Sequence, residues 1–171
     1  MVNDIQACAN NINIDVVDNN WVKKIPNLHA KINLAIESVI LETNYSKIIE
    51  VSVKLTSDEE MCSLNKKFRG ISKVTNVLSF PQDTTEPRIF QNNDEVYIGD
   101  IAIGFEIVQK ESFEQEKTLS AHLIHLIIHG FLHLIGYDHQ FDGESMVMEE
   151  IETSILTKLG YSDPYNNIKL I

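Results

Sequence analysis

The sequence predicts an α/β (α+β) fold: one domain over residues 1–171, with a small mixed four-stranded sheet packed against about five helices. Three observations carry this. Segments of two-residue alternation and of helical period follow one another in the order β-α-β-α-β-β-α-α-α. A run without Asp, Glu, Lys or Arg extends from Thr118 to Tyr137, as a helix buried in a core requires. No internal repeat or linker divides the 171 residues, and that length buries a sizeable core without disulfides.

The elements follow from the N-terminus. Asn11 to Val17 alternates through Ile12, Ile14 and Val16 and reads as a strand. Pro26 precedes a helical pattern over Leu28 to Glu42, with Leu28, Ile32, Ala35, Ile36 and Val39 on one side. Ile48 to Thr56 is rich in β-branched residues, a second strand. Ser57 with Glu60 forms a capping box that opens a short helix to Phe68, ended by Gly70. Thr75 to Phe80 reads as a third strand stopped by Pro81, and the polar residues 82–95 as a loop. Val96 to Ile103 is a fourth strand, broken by Gly104. Phe105 to Gln115 and Leu119 to Ile135 are helices, the second ended by Gly136. Asp142 caps a last helix that runs to Lys158 and stops at Gly160.

Composition excludes several classes. Two cysteines, Cys8 and Cys62, make neither a disulfide framework nor a thiolate metal site, and fit a reducing compartment. The N-terminal MVNDIQACANNINIDVV lacks the basic and apolar regions of a signal peptide. The uncharged stretch is as long as a membrane span, but four histidines interrupt it and no basic flank supports it. A net charge of −11 argues against a protein that coats nucleic acid nonspecifically. One local basic cluster stands out, Lys66, Lys67, Arg69 and Lys73; composition alone favours reading it as a solvated helix end and turn.

The chemistry concentrates on the uncharged helix. At about 100° per residue, His122, His125, His129 and His133 share an arc of roughly 80° on one face. Buried imidazoles need hydrogen-bond partners or a metal. Residues four apart grip one ion, which allows either His125 with His129 or His129 with His133. The third ligand decides: a left-handed turn at Gly136 swings His139 back toward His129 and His133. This register matches the metzincin signature H-E-x-x-H-x-x-G-x-x-H, and three imidazoles leave a coordination position open, as in catalytic zinc sites. Gly130, however, stands where a zinc peptidase carries its general-base Glu. Asp138 reads as a turn residue or as an acceptor for a ligand imidazole.

HGFLHLIGYDH at 129–139 resembles the H-G-x-L-H-L-x-G-Y-D-H signature of the YbeY endoribonuclease family. LNKKFRG at 64–70, TNVLSFP at 75–81, IGDIAI at 98–103 and LGYSDPY near the C-terminus resemble further family motifs in the same order. The resemblance implies one zinc ion per chain on His129, His133 and His139, with Arg69 lining the same cleft and needed for function. It implies cleavage of single-stranded RNA, maturation of the 3′ end of small-subunit ribosomal RNA, and ribosome quality control in the cytoplasm. The implied partners are the ribosomal RNA precursor, the small ribosomal subunit and its assembly factors, with neither DNA nor membrane. Asn76 departs from the family's usual Asp: it keeps shape and an acceptor and loses the charge. Two other readings remain, a metalloprotease-like zinc hydrolase, which Gly130 opposes, and a non-catalytic ribosome-assembly factor with a structural zinc.

Overall fold

The computed structural model describes residues 9–82, 95–139 and 142–166. The loop expected at 82–95 and Cys8 therefore lie almost wholly outside the described residues, as does the side chain of Asp142. The elements are β1 (Asn11–Val16), α1 (Asn20–Lys24), α2 (Leu28–Glu42), β2 (Ile48–Thr56), α3 (Asp58–Arg69), β3 (Val77–Pro81), β4 (Glu95–Gly104), α4 (Phe105–Glu114), α5 (Leu119–Leu134) and α6 (Asp142–Lys158). The sheet runs β1-β2-β4-β3. β1 and β4 both pair parallel with β2, and β3 is an antiparallel edge on β4. It is a four-stranded mixed sheet, as expected.

Alternation decides which face of the sheet is buried. In β2, Ile49, Val51, Val53 and Leu55 are wholly buried, while Glu50, Ser52 and Lys54 point the other way. On the buried side α2 inserts Leu28, Ile32, Ala35, Ile36 and Val39, the five residues its periodicity names. α5 lies innermost and packs against α2, α4, α6, β3 and β4. Neighbours on every side explain why the helix is apolar nearly all round. Among the described residues no helix is long and apolar enough to cross a membrane.

The differences from expectation are local. A sixth helix, α1, is five residues long, too short for a 3.6-residue period to show. Trp21 anchors it, fully buried and edge-on to Phe105 at 5.0 Å, with its indole N–H donating to the carbonyl of Thr56 at 3.4 Å. β3 begins at Val77 rather than Thr75 and includes Pro81. An edge strand tolerates proline because its outer side needs no ladder donor. The capping box is half formed. Ser57 Oγ accepts from the Glu60 backbone N–H at 3.5 Å, but the Glu60 carboxylate turns instead to Lys54 and Thr56.

Candidate metal centre

Thr118 starts α5 by accepting the Ala121 backbone N–H at 3.1 Å, and the helix then carries His129 and His133 one turn apart. At its end Gly136 adopts φ +100°, and the N–H groups of Gly136 and Tyr137 close on the carbonyls of His133 and Leu132. That turn brings His139 back as expected. Its ring stacks on His129 with centroids 5.6 Å apart and lies 5.0 Å from His133. The ligand-capable atoms of His129, His133 and His139 all fall within 4.8 Å of one another.

Hydrogen bonding tests whether these rings suit a metal. His129 Nδ1 lies 2.7 Å from Glu152 Oε1, and His133 Nδ1 lies 2.9 Å from the carbonyl of Tyr137. An ionised carboxylate and a carbonyl only accept, so both Nδ1 atoms carry the proton. In the neutral rings, the form that binds a metal, both Nε2 atoms are then lone pairs, and they face each other at 3.1 Å. Two acceptors at that distance repel unless a cation lies between them. The donor set therefore fits a metal ion, with the rings of His129 and His133 each fixed through the other nitrogen. Burial, with help from the neighbouring His129 ring, holds His133 below the usual imidazole range, which favours the neutral form a ligand needs.

Glu152 of α6 was not among the expected site residues. Its side chain is fully buried. Burial pushes a carboxyl pKa up, yet donors from His125 and His129 overcome that and hold Glu152 at about 2. Its Oε2 takes His125 Nε2 at 2.8 Å and the hydroxyl of Tyr165. His125 is thus bound to an acid and lies outside the cluster of His129, His133 and His139. A sequence signal existed: Met148, Glu152, Ile155 and Leu156 recur with helical spacing and all are buried, so a charge occupies a core position.

His122 has the same kind of partner. Its Nε2 lies 2.7 Å from Glu111 Oε2 of α4. Glu111 also accepts both contacts from Asn76 Nδ2, at 3.0 and 3.3 Å. Burial pushes Glu111 up, and the bonds from His122 and Asn76 outweigh it and hold the carboxyl below its usual range. Asn76 therefore acts here as a donor to an acid, a role that Asp cannot fill. Asp138 accepts the backbone N–H of His139 at 2.7 Å, which is the turn role rather than support of an imidazole.

Arg69, at the end of α3, lines one cleft of about 660 Å³ with His129, His133, His139, Asn76 and Ser79. A second groove of about 640 Å³ shares Asn76, Val77 and His129 and continues past His122, His125 and Tyr165. Gly130 faces β3 and β4, where Ser79, Val77 and Ile101 pack against it. A Cβ there would stand 3.0 Å from Ser79 Oγ and 3.2 Å from Ile101 Cγ2, tight contacts that these two side chains would have to relieve by shifting.

A family model described as Endoribonuclease YbeY matches residues 13–160. An Endoribonuclease YbeY of Bradyrhizobium sp. is 46% identical over 141 residues, covering 81% of this chain and 80% of that protein. The solution structure of a Thermotoga maritima protein is similar, with a TM-score of 0.53 and 26% identity over 87% of this chain and 91% of that one. Matching in sequence over most of its length and carrying the motif histidines in one cluster, the chain belongs to the endoribonuclease YbeY family.

Proposed function

We propose that the chain is a zinc-dependent endoribonuclease that cuts single-stranded RNA and matures the 3′ end of small-subunit ribosomal RNA in the cytoplasm. One zinc per chain sits on His129, His133 and His139. Its partners are the ribosomal RNA precursor and the small subunit with its assembly factors. The observation that carries this reading is the meeting, in one cleft, of three imidazoles whose free nitrogens converge and an arginine from a distant part of the chain.

Bound zinc supplies Lewis acidity, for a phosphoryl oxygen and for water. The protein does the rest. Arg69 presents a planar, permanently charged fork that fits a phosphate bidentately and offsets the charge gained in the transition state. Glu152 and the Tyr137 carbonyl fix the tautomers of His129 and His133 so that Nε2 faces the cleft. Unpaired RNA suits such a cleft because its backbone can splay, whereas a duplex fixes it. Peptide hydrolysis is disfavoured, since Gly130 supplies no general base where a zinc peptidase carries Glu.

The test is complementation in a bacterium lacking its own copy, together with RNA cleavage by purified protein. Wild type should restore mature small-subunit 3′ ends. Arg69→Lys should keep zinc content and melting temperature yet lose roughly 10-fold or more in cleavage, because a point charge replaces a fork. Full processing by Arg69→Ala would assign the trimming to another nuclease and leave this chain a binding factor.

A further inference from the structure

Residues 61–82 contain no Asp or Glu, in a chain that carries 25 acidic residues against 14 Lys and Arg. The cations of that stretch are Lys66, Lys67, Arg69 and Lys73, and residues 66–73 are all exposed. Among the described residues, none of the four forms an ion pair. Lys67 lies over the half-exposed ring of Phe68 at 5.0 Å.

The surface is built, not loose. Gly70 ends α3 in the left-handed conformation, and the chain folds back on the helix. Buried Asn65 holds that fold: its Nδ2 donates to the Lys73 carbonyl at 2.8 Å, and its own carbonyl accepts the Ile71 N–H at 3.4 Å. Lys73 is therefore tethered beside the last turn that carries Lys66, Lys67 and Arg69. Arg69 joins this surface to the imidazole cleft. The groove on the other side of the cluster has the opposite character. Glu114 and Glu116 stand on its wall, and the Lys117 ammonium there is already engaged by Gln115 Oε1 and the Pro164 carbonyl.

We propose that the phosphate backbone of a single-stranded RNA leaves the imidazole cluster across Arg69 and runs over an apron formed by Lys66, Lys67 and Lys73. The groove beyond His122 and His125 does not carry it. This deepens the endoribonuclease reading and rests on it. The competing account is that the cations merely complement the C-terminal dipole of α3. That account covers Lys66, Lys67 and Arg69 but not Lys73, which lies outside the helix.

The experiment is fluorescence anisotropy with a labelled, unstructured RNA of about ten nucleotides across a salt series. Three proteins are compared: wild type, Lys66→Gln/Lys67→Gln/Lys73→Gln, and Lys23→Gln/Lys24→Gln/Lys47→Gln, which removes the same charge from exposed positions elsewhere. Each lysine that meets a phosphate adds about 0.7 to the slope of log K against log salt for a single strand. The apron triple should therefore lose about 2 of that slope and bind at least about tenfold more weakly at low salt. The remote triple should stay near wild type, and zinc content should not change in either. An apron triple that tracks the remote triple overturns the proposal. Should the triple melt early, Lys73→Gln alone gives the same reading, with an expected slope loss of about 0.7. A wild type that binds with an apron-dependent slope but cleaves no RNA overturns the nuclease reading and leaves the path standing. Cleavage with an apron-independent slope does the reverse.

Discussion

Glu152→Gln isolates what the buried acid does. Glu152 accepts from His125 Nε2 at 2.8 Å, His129 Nδ1 at 2.7 Å and the Tyr165 hydroxyl. Glutamine keeps the shape but offers one oxygen, and its amide turns two N–H donors toward groups that are themselves donors. Whichever way the amide lies, His129 or the pair of His125 and Tyr165 loses its acceptor. A hydrogen bond to a charged group is worth about 1.5–3 kcal/mol, and the stranded donor stays buried. If His129 loses its partner, its tautomer is no longer fixed and Nε2 can take the proton. Loss of such support typically weakens metal binding by about 10–100-fold. In that orientation zinc affinity falls by that factor, about 1.4–2.8 kcal/mol, measured by competition with a chromophoric chelator. Melting of the metal-free protein should fall as well. A folded variant that both melts like wild type without metal and binds zinc as tightly would refute the reasoning and make Glu152 a core acid with no hold on the centre.

Other predictions follow from the same network. Asn76→Asp should destabilise the protein by on the order of 2 kcal/mol, because it sets a second carboxylate about 3 Å from Glu111, and adding Glu111→Gln should restore the loss. A thermal melt of the two single variants and the double decides it; a stable Asn76→Asp protein would show that Glu111 does not need its amide donor. Glu111 is held below its usual range by His122 and Asn76 after burial has pushed it up. Its contribution is thus present above the unfolded carboxyl pKa of about 4.3 and lost as pH falls through the lower folded value. Glu111→Gln should flatten that acid limb in metal-free protein, and an unchanged limb would count against it. Gly130→Glu recreates the peptidase motif but should cost about 2–3 kcal/mol by overpacking against Ser79 and Ile101, with no peptide cleavage gained. Peptidase activity in that variant would reopen the protease reading.

Much of this molecule was legible because its signals are local. The strand alternation in β2 and the five inward residues of α2 need only a period and a hydrophobic count. The return of His139 needs only a glycine at the right place, and Gly136 does adopt a positive φ. What escaped depends on other elements. α1 is held by Trp21 reaching Thr56 and Phe105, contacts that no five-residue window contains. Glu60 has the spacing of a capping box, but Lys54 and Thr56 on β2 compete for its carboxylate and win. The donor role of Asn76 depends on Glu111, an acid of another element that lies opposite it.

The histidine stripe shows why a ligand set is a tertiary property. By spacing alone, four imidazoles on one face are nearly equivalent, and two different pairs satisfy the same rule. The surrounding helices remove the equivalence. α4 contributes Glu111, which takes His122, and α6 contributes Glu152, which takes His125 at Nε2. The same carboxylate reaches His129 at the opposite nitrogen, Nδ1, and so leaves its Nε2 free. His133 is freed in the same sense by a carbonyl of its own turn. One acid therefore excludes one imidazole from the cluster and readies the next, by bonding to different ring nitrogens. Moving an acid, not a histidine, is then the change that would redraw this centre.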